Sequence, residues 1–211
     1  NLLYNESCLD AQMRRQIYGD IYDDSMWLID LVENLLSVTR IEEGRMQIRQ
    51  SAELVDEVIK EALKHTGQSR TGRTIKVEEE DELILAKMDA RLIVQVLINL
   101  IGNAVKYTPQ GTDITVRVKK EKAENAERSQ VIISVCDLGN GIPDDRKERV
   151  FDMFYTGSDQ VADSRRSLGL GLGLCRSIIN AHGGKIWISD NIPHGAVVTF
   201  TLPAEEVALN E

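Results

Sequence analysis

Three glycines, Gly169, Gly171 and Gly173, alternate with leucines at the start of a predicted helix at residues 172–181. Such a run suits a strand with one bare face, a strongly bent backbone, or a main chain that lies against a ligand. At the start of a helix, the free N–H groups and the helix dipole favour an anion. The spacing disfavours two common phosphate loops, because G-x-G-x-x-G would need glycine at Leu174 and a P-loop would need Gly-Lys-Ser/Thr.

The composition limits the classes of partner. The formal net charge is −9 without a long basic run, which argues against nucleic acid. Cys8, Cys136 and Cys175 form no C-x-x-C pair, which indicates reduced thiols of a cytosolic protein rather than a disulfide framework or a zinc site. No apolar window is long enough to cross a bilayer. Because the chain starts at Asn1, we interpret it as part of a longer protein that could carry a membrane-spanning part.

Two regions differ in their hydrophobic pattern. From about residue 10 to residue 41, apolar residues recur every three or four positions, as in a coiled-coil seam, and Gly44 is expected to end this helix. This stripe would pack on the rest of the chain or on a second copy. The seam residues are Ile17, Ile21, Leu28, Leu31, Leu35 and Val38.

After Gly44, helices and strands alternate without strict order, which predicts an α+β fold, a two-layer sandwich with helices covering a mixed sheet. Helices are predicted at residues 51–64, capped by Ser51, at 89–107, capped by Asp89, at 143–150 and at 172–181. Strands are predicted at residues 74–78, 83–87, 114–118, 131–135, 185–189 and 196–202. The charged stretch 119–130 is expected to be a loop, and residues 190–195 a hairpin turn.

The predicted helix at residues 89–107 carries polar groups on one face. Asn99, Asn103 and Lys106 fall at i, i+4 and i+7. Amides on an apolar helix are costly unless paired, so they either satisfy neighbouring backbone groups or serve a ligand. An amide oxygen suits Mg²⁺, and Lys106 would then supply a point charge for a phosphate.

A second polar position follows a buried-looking strand, where Asp137 leads into Gly139 and Gly141. A carboxylate at a strand end can accept hydrogen bonds from an exocyclic amine, and the glycines allow a flat ring to approach the backbone. A tight turn that begins with aspartate is the alternative interpretation of the same pattern.

Four motifs now occur in a diagnostic order: N-L-x-x-N-A-x-K-Y at 99–107, D-x-G-x-G-I at 137–142, FDMFY at 151–155 and G-x-G-L-G-L at 169–174. They resemble the N, G1, F and G2 boxes of sensor histidine kinases. The stretch at 31–44 is similar to the second helix of that family's dimerisation hairpin, and local stretches look most like Kdp-type potassium-responsive sensor kinases. The resemblance implies a Bergerat-type (GHKL) ATPase fold, with a hairpin remnant at 1–44 and a catalytic domain at 45–211.

The resemblance also implies ATP and Mg²⁺ as cofactors. Asn103 would coordinate Mg²⁺ with support from Asn99, and Lys106 would contact phosphates. Tyr107 would pack against the adenine, and Asp137 would accept a hydrogen bond from its N6 amine. A cytoplasmic location, a membrane-anchored parent protein, a homodimer through the first helix and a response regulator as partner are further implications.

A lid at about residues 155–173 would close over the triphosphate, with Phe151 and Phe154 anchoring its other end. The family often has an arginine after the aromatic box, whereas this chain has Thr156, so Arg165 or, as we expect, Arg166 would meet the γ-phosphate. The residues that the resemblance places against the nucleotide are Asn99, Asn103, Lys106, Tyr107, Asp137, Gly139, Gly141, Ile142, Phe151, Phe154, Arg166, Gly169, Leu170, Gly171, Leu172 and Gly173.

The family's phosphoacceptor is a histidine followed by an acidic residue and an Arg-Pro pair. His65, His182 and His194 lack those neighbours, and we interpret them as helix-end, capping or surface residues. The sequence therefore predicts that this chain binds Mg-ATP without phosphorylating itself.

Two other functions remain open. GHKL-type ATPases place a water-activating glutamate four residues before the metal-binding asparagine, a position held here by Asn99, which is no general base. A degenerate ATP-binding module that only transmits a signal is the second alternative, and the retained Asn103, Asp137 and glycines argue against it.

Overall fold

Helices and strands alternate irregularly in the computed structural model, which describes residues 10–42, 48–66, 74–80, 83–122, 129–155 and 169–205. Within those residues the helices are α1 (Ala11–Glu42), α2 (Val55–His65), α3 (Ala90–Tyr107), α4 (Asp144–Lys147) and α5 (Gly171–Ala181). The strands are β1 (Ser51–Leu54), β2 (Ile75–Glu79), β3 (Leu85–Met88), β4 (Ile114–Lys122), β5 (Ser129–Cys136), β6 (Ile186–Asp190) and β7 (Ala196–Glu205). A short 3-10 turn, Arg149–Phe151, follows α4.

The described strands form one mixed sheet in the order β1-β3-β7-β5-β4-β2, and β6 also pairs with β7. β2 and β4 are parallel, and the other pairs are antiparallel. β7 pairs with β5 along one edge, while its other edge pairs with β6 and, at Ala204 and Glu205, with β3. The predicted mixed sheet and C-terminal hairpin are confirmed.

Helices α2, α3 and α5 cover one face of this sheet and enclose the core with it. α3 buries Leu97, Leu100 and Ile101 completely or nearly so, and the sheet contributes Ile133 and Phe200. Burying side chains of this size is the main favourable contribution to folding, at about 1.5–3 kcal/mol each. The predicted two-layer α+β sandwich is confirmed.

The predicted helix start at Ser51 is wrong. Ser51 opens β1, where it pairs with Met88, and α2 begins at Val55. The backbone groups of this segment are satisfied by β3, so a hydroxyl cap offers no advantage, and the Ser51 hydroxyl donates instead to Glu53. Nothing in the local sequence reports this pairing, because the partner strand lies more than thirty residues further along the chain.

The predicted loop at residues 119–130 is also wrong at both ends. β4 continues to Lys122 and β5 begins at Ser129, with Lys119 opposite Ile132 and Glu121 opposite Gln130. Lysine and glutamate are weak strand formers, but the ladder satisfies their backbone groups, and the ammonium of Lys119 lies 2.7 Å from the Glu121 carboxylate.

The first helix has the predicted extent, from Ala11 to Glu42, with the Asp10 carboxylate accepting a hydrogen bond from the N–H of Met13 at 2.7 Å. Of the predicted seam, Ile17 is half-buried, whereas Ile21 and Leu28 are about half exposed, at 49% and 51%. The side chains of Leu31, Leu35 and Val38, and Gly44 itself, lie outside what the structure describes. Among the described residues, no helix combines the length and the apolar character that a membrane crossing requires.

Candidate ATP-binding site

The polar face of α3 forms one wall of the candidate site. Asp89 caps the helix by accepting from the N–H of Leu92, as predicted. Asn103 is half-buried further along, and Lys106 is exposed in the last turn. The Lys106 ammonium lies 5.0 Å from the centre of the Tyr107 ring, a cation–π contact at the end of the helix.

The loop after β5 lies against the C-terminal end of this wall. A Cβ placed on Gly139 would sit 2.7 Å from the carbonyl oxygen of Tyr107, so this approach requires glycine. Gly141 has a φ of +70°, which also favours glycine. Ile142 is half-buried and packs on the core. The structure thus brings together the motifs at 99–107 and 137–142, as the sequence predicted.

Asp137 is held by two backbone donors. Its Oδ1 accepts hydrogen bonds from the N–H of Gly139 at 2.8 Å and of Ala196 at 3.2 Å. Neither bond uses Oδ2, which remains for an amine donor. The first of these bonds also forms the tight turn that was the alternative interpretation, so the turn and a binding role are compatible here.

The start of α5 lies against the other end of the wall. A Cβ on Gly171 would be 3.8 Å from both Cγ and Oδ1 of the Asn99 amide. The Asn99 Nδ2 atom is buried and has no hydrogen-bond partner among the described residues. Asn99 and Tyr107 are about 12 Å apart along the helix, given the rise of 1.5 Å per residue, so the site suits an extended ligand.

These observations fit a nucleotide. The Asn99 amide has only the weakly accepting Cys175 thiol beside it, so a bound polar group would supply the stronger partner that a buried donor needs, since one left unpaired costs about 1–3 kcal/mol. The glycines at 139 and 171 let the loop after β5 and the start of α5 pack close to Tyr107 and Asn99 of α3. Asn103 and Lys106 add a neutral oxygen ligand and a cation, the combination that a metal-bound phosphate needs.

Cys175 of α5 lies behind Asn99. Burial raises the pKa of its thiol to about 12, and the neighbouring Asn99 amide opposes part of that rise. Burial likewise raises the pKa of Cys136, at the end of β5, while the Arg117 guanidinium opposes the rise. Both cysteines are buried free thiols, and Cys8 lies outside the described residues.

The aromatic motif and the glycine motif meet in the structure. A Cβ on Gly169 would lie 2.4 Å from the carbonyl oxygen of Tyr155, and the N–H of Phe154 donates to the Gly169 carbonyl at 3.1 Å. Phe151 is buried. Phe154 is 64% exposed and has a φ of +66°, so its backbone rather than its ring makes this contact, and most of the expected lid, residues 156–168, lies outside the described residues.

The leucines of the glycine motif pack on the core. Leu170 and Leu174 are buried, and Leu172 is half-buried. A Cβ on Gly173 would lie 3.2 Å from the Phe151 carbonyl oxygen, which is a second close contact between the two motifs. Thr156, Arg165 and Arg166 lie outside the described residues.

Sequence reasoning missed the contribution of the turn between β6 and β7. The side chain of Asn191 donates to the Asp137 carbonyl at 2.7 Å, and Nδ1 of His194 lies 3.2 Å from the Gly139 carbonyl. The sequence offered only a turn signal at Pro193 and Gly195, which carries no information on what the turn contacts.

Two of the three histidines, His65 and His182, make contacts at the ends of helices. His182 is buried, with Nδ1 at 2.7 Å from the Ile178 carbonyl and Nε2 accepting from the N–H of Asp89 at 3.0 Å. His65 ends α2, 3.3 Å from Glu61. The predicted helix-end and capping roles of His65 and His182 are confirmed, although His182 is buried more deeply than a surface cap.

Residues 88–206 match the family described as histidine kinase-, DNA gyrase B- and HSP90-like ATPase. Sensor protein KdpD of Clostridium acetobutylicum is 39% identical over 204 residues, which are 97% of this chain and 22% of that protein. Adaptive-response sensory kinase SasA of Gloeothece citriformis is 30% identical over 195 residues, which are 92% of this chain and 48% of that protein. The chain thus spans about a fifth and about a half of the lengths of these two relatives.

Solved structures of histidine kinases have a fold similar to that of this chain. The histidine kinase ThkA, in a complex with the response regulator protein TrrA, has a TM-score of 0.67 and 26% identity, with 97% of this chain and 55% of that chain covered. The catalytic domain of ThkA alone is 31% identical, with a TM-score of 0.58 and coverage of 74% of this chain and 95% of that chain. The chain therefore belongs to the histidine kinase-, DNA gyrase B- and HSP90-like ATPase family and carries the ATP-binding catalytic domain of a sensor histidine kinase.

Proposed function

We propose that this chain holds Mg-ATP for phosphoryl transfer to a histidine that is none of its own three. The observation that carries the proposal is the arrangement along α3, where Gly139 lies against Tyr107 and Gly171 against Asn99. The proposed base-side and phosphate-side elements thereby contact one helix at its C-terminal end and at its middle. Phosphoryl transfer depends mainly on positioning and charge neutralisation, which such a frame supplies.

Each end of the site has its own task. Asp137 accepts a hydrogen bond from the N6 amine of adenine through Oδ2, while Tyr107 covers the ring. Asn103 supplies the oxygen ligand for Mg²⁺, Asn99 supports it, and Lys106 contacts the phosphates. Bound Mg²⁺ would neutralise charge on the transferred phosphoryl group. The glycine segment brings main-chain N–H groups at the start of α5 towards the phosphates.

The surroundings of the histidines support an acceptor elsewhere. Both ring nitrogens of His182 are engaged in hydrogen bonds in the protein interior, so neither can attack a phosphorus atom. His194 lies against the loop after β5, on the proposed adenine side of the site, and contacts the Gly139 carbonyl there. The similarity to ThkA, which has been solved in complex with the response regulator protein TrrA, supports relay of the phosphoryl group to a response-regulator aspartate.

Direct hydrolysis of ATP is the competing function, and Asn99 argues against it. A hydrolase needs a base that activates water, and an amide cannot accept a proton near neutral pH. The Nδ2 atom of Asn99, which has only the Cys175 thiol as a weak acceptor beside it, instead suits a hydrogen bond to an oxygen of the ligand.

Calorimetric titration with ATP, with and without Mg²⁺, tests the metal and nucleotide assignment. The Asn103→Ala variant should lose the Mg²⁺-dependent part of the affinity, roughly tenfold or more. Asn180→Ala is the matched control, because Asn180 is exposed at the end of α5. An unchanged Mg²⁺-dependent affinity in Asn103→Ala would contradict the metal assignment, and no ATP binding by the folded protein would contradict the function.

Radiolabelled ATP tests the kinase activity. The protein is mixed with a separately prepared phosphoacceptor helix of the sensor-kinase type, and acid-labile label on histidine is measured. We expect label on that helix and none on this chain. Label on the chain alone, or release of phosphate without labelled histidine, would favour self-phosphorylation or hydrolysis instead.

We further propose that residues 1–44 belong to a dimerisation hairpin, that residues 45–211 form the catalytic domain, and that the parent protein is membrane-anchored. The exposed Ile21 and Leu28 of α1 support a homodimer through this helix, since they leave apolar surface uncovered. Sedimentation equilibrium should show a dimer that Ile21→Glu converts to a monomer. A wild-type protein that remains monomeric at high concentration would overturn the dimer.

A further inference from the structure

The turn between β6 and β7 holds the backbone of Asp137 through an amide of fixed orientation. Nδ2 of Asn191 donates to the Asp137 carbonyl at 2.7 Å, and Oδ1 of the same amide accepts from the N–H of Ile192 at 3.0 Å. A flipped amide would face a carbonyl with an oxygen and an N–H with an NH₂ group, so both bonds would be lost. The donor is therefore directed at Asp137.

Close main-chain contact reinforces this bond. The N–H of Asn191 donates to the Gly195 carbonyl at 3.0 Å and so closes the turn. A Cβ on Gly195, whose φ is +113°, would lie 2.0 Å from the Asp137 carbonyl oxygen. A Cβ on Gly141 would in turn lie 3.2 Å from the Gly195 carbonyl oxygen. The turn and the loop after β5 therefore pack backbone against backbone.

Two more contacts reach the loop from the same turn. Nδ1 of His194 lies 3.2 Å from the Gly139 carbonyl, and it donates whenever that nitrogen carries a proton. The N–H of Ala196, the first residue after the turn, donates to Oδ1 of Asp137 at 3.2 Å. The carbonyl and carboxylate of Asp137 and the carbonyl of Gly139 are thus all held by residues 191–196.

We infer that this turn sets the purine selectivity of the site, with Asn191 and His194 acting as positioning residues for Asp137. The inference rests on the proposed function, in which Oδ2 of Asp137 accepts from the N6 amine of adenine. It assigns a role to Asn191 and His194, which contact the loop after β5 rather than the nucleotide itself.

Selectivity follows from the chemistry at position 6 of the purine. Adenine presents a donor there, whereas hypoxanthine and guanine present a carbonyl oxygen. A carboxylate that cannot rotate away meets that oxygen with a lone pair and rejects it, and discrimination by such unpaired polar groups can be large. A carboxylate whose backbone has been released can move away, so the penalty for the wrong base falls.

The test compares the affinities for ATP and ITP, both with Mg²⁺, because ITP differs from ATP in carrying a carbonyl in place of the amine. We expect Asn191→Ala to reduce the ratio of ATP to ITP affinity by roughly tenfold, because ATP binds more weakly and the penalty against ITP falls. His194→Ala should reduce the ratio by about threefold, and His194→Asn should restore part of it, since its amide can donate from nearly the same position. Ile192→Ala is the control, because Ile192 lies in the same turn and is 90% exposed.

The outcomes separate the inference from the proposed function. If both nucleotides weaken equally in Asn191→Ala and His194→Ala, the turn supports the fold only and the inference is wrong. If wild-type protein shows no preference for ATP, Asp137 does not read the amine, and the proposed role of Asp137 falls with it. If circular dichroism shows that Asn191→Ala does not fold, the comparison of His194→Ala with His194→Asn tests the inference instead. The His194 side chain is exposed, so replacing it leaves the core intact.

Discussion

Gly139 lies so close to the carbonyl oxygen of Tyr107 that a Cβ at position 139 would be 2.7 Å from it. The contact joins the loop that carries Asp137 to the C-terminal end of α3, the helix that carries Asn99 and Asn103. Both partners are main-chain atoms, so the separation cannot be relieved by a change of rotamer. The proposed base-side and phosphate-side halves of the site are therefore both positioned by α3.

Gly139→Ala is therefore expected to damage both stability and binding. Separating the loop from α3 should cost roughly 1–3 kcal/mol of the free energy of unfolding and weaken ATP binding at least about tenfold. Gly102→Ala is the matched control, because Gly102 lies on the same helix with nothing within 4 Å of its missing Cβ. It should stabilise the protein by about 0.5–1 kcal/mol. Urea unfolding and calorimetry measure both effects, and equal stabilities of the two variants would contradict the argument.

His182 links the C-terminal end of α5 to the N-terminal end of α3 from within the core. His182→Ala should lower the free energy of unfolding by about 2–4 kcal/mol, because it leaves the N–H of Asp89 without its acceptor and creates a cavity. His65→Ala, at the exposed end of α2, should change it by less than about 0.5 kcal/mol. Denaturant unfolding of both variants is the measurement, and a loss below about 1 kcal/mol for His182→Ala would show that this link is dispensable.

The sequence predicted those elements that are specified by neighbouring residues along the chain. α3 was predictable because seven buried apolar residues recur at helical spacing behind an aspartate that caps the helix through its own side chain. The four motifs were likewise visible because each is a short run on one segment. Their meeting at Asn99 and Tyr107 could be predicted only through the family resemblance, since spacing along the chain does not report which segments touch.

Features that depend on distant partners were not predictable. Ser51 has the composition of a cap, but β3 satisfies its backbone. The charged end of β4 extends as a strand because β5 lies beside it. Asn191 contacts a carbonyl 54 residues away, and no property of an Asn-Ile-Pro turn indicates that contact. In each case a tertiary hydrogen bond outweighs the local preference.

The buried thiol of Cys175 lowers the free energy of unfolding as the pH becomes alkaline. Its thiol has a pKa of about 12 in the folded protein against an ordinary value of 9.0, so above pH 9 the unfolded chain loses a proton that the folded chain keeps. Stability is therefore fully present below pH 9 and falls as the pH rises towards 12, by at most about 1.4 kcal/mol per pH unit.

Urea unfolding at pH 8, 9 and 10 under reducing conditions measures this effect. Cys175→Val should show a shallower decline than the wild-type protein, and Cys136, whose pKa is also raised by burial, should contribute in the same direction. The difference in unfolding free energy between the two proteins at each pH cancels the contribution of the other titrating groups. Parallel curves for wild type and Cys175→Val would mean that the thiol is not shielded in the folded state.

Gly169→Ala and Gly183→Ala separate backbone strain from steric conflict. Both glycines have a positive φ, +66° and +76°, so alanine at either position should cost about 1–2 kcal/mol. Gly183 has nothing within 4 Å of its missing Cβ, whereas Gly169 would place that atom 2.4 Å from the Tyr155 carbonyl oxygen. Alanine at Gly169 must therefore also separate Tyr155 from the glycine segment, and we expect a larger loss of stability together with at least about tenfold weaker ATP binding. Denaturant unfolding and calorimetry compare the variants, and ATP affinity that falls equally in both would indicate that the contact between Gly169 and Tyr155 has no part in binding.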